Sequence, residues 1–497
     1  MRNLFSRSAW WIAALAVLLA FAGLGSRGIW DPDEGRYSNV ALQMLDSGDW
    51  INPHRSHDTG HWTKPPLTYW AIGGSVALFG QNSWAVRLPS ALSYLLCVWL
   101  AWHCARRLLP GSETSAALAY MTMLMPQLAG QLVTTDFILT AMQTLAVVAF
   151  IEWRFGPPSA AMRAWWLMWV AFAAAFLTKG PPALLPMLVM LAFVMLVPGK
   201  RARDWRHVLA GLGIMLMLAL PWFIAVTVEN TGLLDYFLGA EVVDRIATDR
   251  FKRHGEWYGW AEIYLPTLLI GSLPWTGHMI SWARHLPSAV RRWRDTALRE
   301  IEAPRLFIAL WLLIPLLVFC LARSRLPLYL LPLFVPIALV IAGERLRKGL
   351  PELDGRWILG WAALLIGLRF AIALYPSDRD ARQWAEAIRE RAANKVGEVV
   401  FVEDMPRYGL HLYLDVDIES LSLDDVAQPA FNPEFDESLA VELAESAVEK
   451  DVVFVAKARL WPKVQQRIVQ QGYRVIPLGK PFHGRIIFQV EPLAPPP

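Results

Sequence analysis

Long apolar runs alternate with short polar connections over most of the chain, and that alternation sets its architecture. The runs are roughly 20 residues long, which is what a helix needs to cross about 30 Å of hydrocarbon. They lie at 9–28, 86–104, 114–131, 137–152, 164–178, 182–198, 208–228, 259–281, 305–321, 327–342 and 356–374. The pattern predicts a polytopic α-helical membrane protein with about eleven spans. One further apolar piece, Leu67 to Phe79, is short and contains Gly73 and Gly74. After Tyr375 the pattern changes and 376–497 reads as a separate soluble domain. Helices are expected at 380–394, 440–450 and 461–471, and strands at 396–403, 451–456, 473–478 and 485–490. This alternation predicts a small α/β domain, followed by a disordered tail from Leu493 to Pro497.

Composition agrees. The chain is 55% hydrophobic and 18% charged, where a soluble protein carries about a quarter charged residues. Many of its 25 tryptophans lie at the ends of apolar runs, as interfacial anchors do. A net charge of +4 is too small to indicate a nucleic-acid partner. Cys97, Cys104 and Cys320 all lie in apolar runs and read as small core residues, with no disulfide framework or Cys-based metal site. Arg2 and Arg7 precede the first apolar run, which is long for a signal-peptide core, so a retained first span is expected.

Charge placement orients the spans. If 67–79 does not cross, most strongly basic connections fall on one side. These include Arg106 and Arg107, Lys200 to Arg206, Arg291 to Arg299, and Arg345 to Lys348. That side is cytoplasmic by the positive-inside rule, and 67–79 becomes a juxtamembrane or re-entrant helix within a loop over 29–85. The loops on the other side hold Asp33, Glu34, Lys64, Asp136, Lys179, Glu241, Asp244, His254, Arg323 and Arg325. An odd number of spans puts the C-terminal domain on that side too.

The chemistry concentrates in the first of these loops, which reads W-D-P-D-E-G-R-Y near its start and H-W-T-K-P-P-L-T-Y-W near its end. Adjacent carboxylates at a membrane exit are exposed, paired or used. Asp33 and Glu34 are therefore either caps of a helix starting near Arg36 or an acid, base or cation site. Arg36 and Tyr37, one turn on, suit an anion. Lys64, pinned by Pro65 and Pro66, either snorkels to lipid phosphate or neutralises a substrate phosphate. Asp136 in T-T-D-F is a helix cap or a functional acid. His254 is a candidate metal ligand together with a first-loop carboxylate, whereas His54, His57 and His61 read as a solvated loop. Arg323 and Arg325 interrupt two apolar runs against the charge trend, which suggests a bound anion.

Taken together, D-E-G-R-Y (33–37), S-G-D-W-I-N-P (47–53), K-P-P-L-T-Y-W (64–70), A-V-R-L-P-S-A-L (85–92), T-T-D (134–136), L-T-K-G-P (177–181) and S-R-L-P-L-Y-L-L-P (324–332) resemble the bacterial 4-amino-4-deoxy-L-arabinose lipid A transferases. More distantly they resemble the protein O-mannosyltransferases, both of the GT-C type. The resemblance implies a polyprenyl-phosphate sugar donor and transfer at the periplasmic face of the bacterial inner membrane, onto a lipid A-type or other envelope acceptor. It implies catalytic roles for Asp33 and Asp136. It implies donor-phosphate handling by Lys64, Tyr37, Arg36, Arg325 and Tyr329, and leaves Glu34 and His254 as acceptor or metal residues. Thr63 stands where the arabinose transferases carry a glutamate before the lysine, which leaves the metal requirement and the sugar open. Rival classes are a lipid or glycan transporter, which would place charges mid-span and repeat its halves, and a non-catalytic assembly protein, which would not use the charged loops.

Overall fold

A computed structural model describes residues 7–199, 205–239, 254–351, 354–392, 394–424, 426–447 and 451–493. It divides into two compact units, neither continuous in sequence: Met1–Leu24 with Pro89–Arg369, and Gly25–Leu88 with Phe370–Pro497.

Among the described residues, seven helices are long and apolar enough to cross a membrane: Ser83–Leu108, Thr135–Phe155, Pro158–Lys179, Trp205–Glu229, Ala303–Leu321, Pro327–Arg347 and Gly355–Leu374. Helix also fills the other apolar runs, but in shorter pieces. The run 114–131 breaks at Met123, whose backbone is extended (φ −63, ψ 138), into Glu113–Thr122 and Leu124–Ala129. The run 259–281 breaks after Gly271 and resumes as Thr276–Arg292. The two breaks serve each other. Leu124 N–H donates to the Leu273 carbonyl at 3.1 Å, and Trp275 Nε1 donates to Thr122 Oγ1 at 2.8 Å. Non-helical backbone at such depth persists where protein groups satisfy it. Elsewhere in this unit Phe150, Phe193 and Phe307 pack against one another, with ring centroids 5.1 Å apart for the last two.

The second unit is built on a six-stranded sheet: β1 (Glu398–Val402), β2 (Asp417–Ser422), β3 (Glu437–Ser438), β4 (Val452–Lys457), β5 (Tyr473–Pro477) and β6 (Arg485–Pro492). The order is β3-β2-β1-β4-β6-β5. The first four strands in that order are parallel, and β6 runs antiparallel to both of its neighbours, β4 and β5. The central strand β1 is buried on both faces. Val399 and Phe401 point into one core with Trp384 and Ile388, while Val400 and Val402 point into the other with Leu443, Val464 and Ile468. Continuous hydrophobic runs suit strands covered on both sides, and β1 and β4 were legible for that reason. Strand β2 was not. Its sequence D-I-E-S-L-S is polar, yet nearly all of it is buried. Its polar atoms are satisfied at a distance: Ser420 donates to Asp436 at 2.9 Å and Ser422 to Glu403 at 3.0 Å. The helix expected at 440–450 is Leu439–Ser446, and 448–450 lie outside the described residues, as do Glu241, Asp244 and the tail beyond Leu493.

The first polar loop folds onto this sheet domain within the same unit. Asp31 N–H bonds the Arg379 carbonyl at 3.0 Å and Ala381 N–H the Ile29 carbonyl at 2.9 Å. Gln43 donates to Asp417 at 2.9 Å, and Arg55 pairs with buried Asp436 at 2.7 Å. The apolar piece Leu67–Phe79 is one 13-residue helix in this unit. It rises about 20 Å at 1.5 Å per residue, short of the roughly 30 Å hydrocarbon thickness.

Asp31 is fully buried and accepts from Gly409 N–H at 3.1 Å. Burial drives its carboxyl up to about 8, against the pull of Gly409 and Arg407. A group protonated in the fold but ionised when unfolded contributes stability below its ordinary value near about 4, and that stability is lost as pH rises to about 8. Replacing it by Asp31→Asn is expected to raise the thermal midpoint at pH 8 and leave it unchanged at pH 4. Melting curves of the detergent-purified chain across this range test it.

Candidate active site

The helix Asp33–Ser47 begins directly after Pro32, with no side-chain cap. Neither carboxylate is therefore the cap of a helix starting later. Successive residues on a helix point about 100° apart, so Asp33 and Glu34 part company. Glu34 turns inward and is 3% exposed. Arg27 Nη1 reaches its Oε2 at 2.6 Å, Arg87 reaches both oxygens at 3.1 Å, and Trp30 N–H donates to Oε2 at 3.0 Å. Arg87 also donates to the Arg27 and Gly28 carbonyls at 2.7 Å each, and Arg27 lies 4.4 Å from the Trp30 ring centroid. Burial opposes ionisation of Glu34, but Arg87 and Arg27 overcome it and take the carboxyl down to about 2. The expectation that Glu34 meets acceptor or metal is corrected: its lone pairs are engaged by two guanidiniums. Asp33 faces outward with a side chain 63% exposed, paired to Arg36 at 2.6 Å, in the helix N-terminal turn that favours a carboxylate.

The end of the loop holds an aromatic and imidazole cluster. Tyr37 and Tyr69 rings lie 6.0 Å apart, and His61 meets Tyr69 edge-on at 6.4 Å. His61 is 2% exposed and its Nε2 lies 2.7 Å from Thr63 Oγ1. Burial, then Arg36, Arg55 and Lys64, push its pKa well down, so it is neutral. Reading the loop histidines as solvated is correct for exposed His57 and wrong for His61. Half-buried Lys64 turns its Nζ onto the Thr63 carbonyl at 2.5 Å.

In the first unit, three short motifs converge. Thr134 caps the helix Thr135–Phe155 by accepting from Asp136 N–H, which releases the Asp136 side chain from capping. Asp136 Oδ1 lies 2.5 Å from Nζ of Lys179, the last residue of Pro158–Lys179, with both side chains nearly buried. Lys179 Nζ also sits 4.6 Å from the Tyr329 ring centroid. Arg325 is placed otherwise than expected. It is 3% exposed, and its guanidinium donates to the carbonyls of His254, Glu256 (2.7 Å) and Cys320 (3.1 Å). It clamps backbone rather than presenting donors to a phosphate. His254 Nδ1 lies 3.8 Å from Glu262. Among the described residues, the groups close enough to share a metal ion are Asp46, His411 and Asp415, and Glu398, Glu419 and Glu442. Neither set contains Glu34 or His254.

Sequence reading missed Arg27 and Arg87 as the partners of Glu34, and Lys179 as the partner of Asp136. A signal existed for two of them. Arg87 in A-V-R-L-P and Lys179 in L-T-K-G-P are charges set in apolar sequence, and such charges need a counter-charge.

Comparisons with known proteins agree with this architecture. Residues 63–225 match the family described as dolichyl-phosphate-mannose-protein mannosyltransferase. The undecaprenyl phosphate-alpha-4-amino-4-deoxy-L-arabinose arabinosyl transferase of Pseudomonas aeruginosa (strain UCBPP-PA14) is 34% identical over 377 residues, covering 73% of this chain and 65% of that protein. The protein of the same name from Aeromonas salmonicida (strain A449) is 31% identical over 385 residues, 74% of this chain and 66% of that one. The chain thus spans about 65% of the length of the curated relatives it matches. Among solved structures, ArnT from Cupriavidus metallidurans, crystallised bound to undecaprenyl phosphate, superposes with a TM-score of 0.74 at 19% identity, covering 97% of this chain and 98% of that one. The archaeal oligosaccharyltransferase AglB from Archaeoglobus fulgidus gives 0.53 at 12% identity, over 93% and 71%. The chain is a multi-pass membrane protein of the GT-C fold, related to the 4-amino-4-deoxy-L-arabinose transferases and the protein mannosyltransferases.

Proposed function

We propose that this chain is an inverting glycosyltransferase that moves a sugar from a polyprenyl-phosphate donor to a lipid A-type or other envelope acceptor. We place the reaction at the periplasmic face of the inner membrane, with the C-terminal domain on that side. The observation that carries the reading is the relationship to named arabinosyl transferases over 73% of the chain. The charge segregation of the loops supports the sidedness. The match of 63–225 to the mannosyltransferase family favours a protein acceptor as the second reading.

The chemistry is one displacement. The acceptor oxygen attacks the anomeric carbon, the bond from that carbon to the phosphate oxygen breaks, and configuration inverts. Polyprenyl phosphate leaves as a stable anion, so no strong acid is required. Cations stabilise its developing charge, and Lys64 is the lysine we assign to that task, with Tyr37 and Arg36 of the same loop as further donor contacts. Asp33, with its side chain exposed, orients an acceptor phosphate, or takes the proton of an acceptor hydroxyl. Asp136 holds the Lys179 ammonium in place.

Asp33→Asn is expected to lower transfer by about 100-fold or more without changing the melting temperature. Its neighbour behaves oppositely: Glu34→Gln leaves two arginines buried without their carboxylate and costs about 3–5 kcal/mol of stability, read as loss of folded protein. Full transfer by Asp33→Asn on purified donor and acceptor would sink the assignment. Lys64→Met is expected to reduce transfer by about 100-fold, measured as single-turnover rate at saturating donor. Mass spectra of lipid A, surface glycans and periplasmic glycoproteins from cells with and without the protein separate the two acceptor readings.

A further inference from the structure

The helix Asp33–Ser47 carries Asp33 at its first residue and Asp46 near its last. Asp46 meets the short helical turn His411–Leu414 of the same compact unit. His411 is 4% exposed, and its Nδ1 lies 2.7 Å from Asn39 Oδ1. The Asn39 amide is itself oriented, because its Nδ2 donates to the Arg55 carbonyl at 2.5 Å. Oδ1 is therefore the acceptor, and His411 Nδ1 carries the proton. Nε2 is left pointing away from the core, 3.0 Å from Asp46 Oδ2. Asp415 brings a second carboxylate, and the three donor atoms lie within 4.8 Å of one another.

An imidazole whose far nitrogen is held by a carbonyl-type acceptor has its tautomer set and its lone pair aimed outward, which is how metal-ligating histidines are supported. The two carboxylates repel each other, and a dication balances both. One nitrogen with two carboxylates suits Zn²⁺ and its first-row neighbours rather than Ca²⁺ or Mg²⁺, which take oxygen ligands. Ligand bonds of about 2.0–2.2 Å require the three side chains to close by only a fraction of their present spacing. Asp46 and Asp415 are exposed, so water has access to complete the coordination.

We propose that Asp46, His411 and Asp415 form a binding site for a divalent transition metal, Zn²⁺ as the test ion, which ties the C-terminal end of the Asp33-bearing helix to the sheet domain. The site is distinct from the residues assigned to transfer, so it stands or falls independently of that assignment.

The test compares the chelator-stripped full chain in detergent with the double variant Asp46→Asn, Asp415→Asn. Both positions are exposed, and Asn tolerates the φ of +58 at Asp415, so the fold is preserved. Calorimetric titration with ZnCl₂ is expected to show one more bound equivalent for the natural chain, with a rise in thermal midpoint that the double variant lacks. Asp415→Asn alone is expected to weaken that equivalent by about 10- to 100-fold or more. With Co²⁺ as the probe, His411→Gln is expected to remove one equivalent of visible absorption. Equal stoichiometry and equal midpoint shift in both proteins, or no Zn²⁺-dependent shift in the natural chain, would overturn the site and leave an imidazole–carboxylate pair only.

Discussion

A carboxylate clasped by two arginines out of water is the contact on which the first loop depends. Glu34, Arg27 and Arg87 are drawn from the segment before the helix Asp33–Ser47, its first turn, and the start of Ser83–Leu108. Burying three charges is costly, and an apolar core of the same volume is often at least as stable. What the triad supplies is direction. Arg87 also ties down the Arg27 and Gly28 carbonyls, so the chain entering the helix has one path. With Glu34 held inward, the 100° step to its neighbour leaves Asp33 facing outward.

The same economy recurs elsewhere. Thr134 takes over helix capping and frees Asp136 to hold Lys179. Arg325 spends its donors on three carbonyls and braces the chain around His254 and Glu256. Asn39 orients His411 while His411 meets Asp46. In each case one polar residue settles the geometry of its neighbours through contacts that are themselves satisfied. A low-dielectric setting makes an unpaired group expensive, so these supporting contacts are specified as closely as the residues they support.

Much of the membrane architecture was legible, because hydrophobic run length is a one-dimensional property. The apolar runs became helices, and the runs that broke did so where Met123 turned extended and where a bend separates Gly271 from Thr276. The parallel strands β1 and β4 announced themselves as unbroken apolar runs. Strand β2 did not, because its buried serines donate to Asp436 and Glu403, residues that local pattern cannot connect to them. His61 looked solvated for a similar reason: only the fold packs Tyr69 against it and brings Arg36 and Arg55 near it.

By itself the sequence determined the membrane class, the α/β character of the C-terminal domain, the motifs that identify its relatives, and Asp33, Asp136 and Lys64 as residues of interest. Tertiary structure alone decided which charges are spent on structure. Glu34 and Arg87 are 53 residues apart, Asp136 and Lys179 are 43 apart, and Arg325 and His254 are 71 apart. Whether a carboxylate is a structural anchor or an available acid depends on its burial and on the cations held against it: Glu34 is buried between two arginines, whereas Asp33, paired with Arg36, stays exposed.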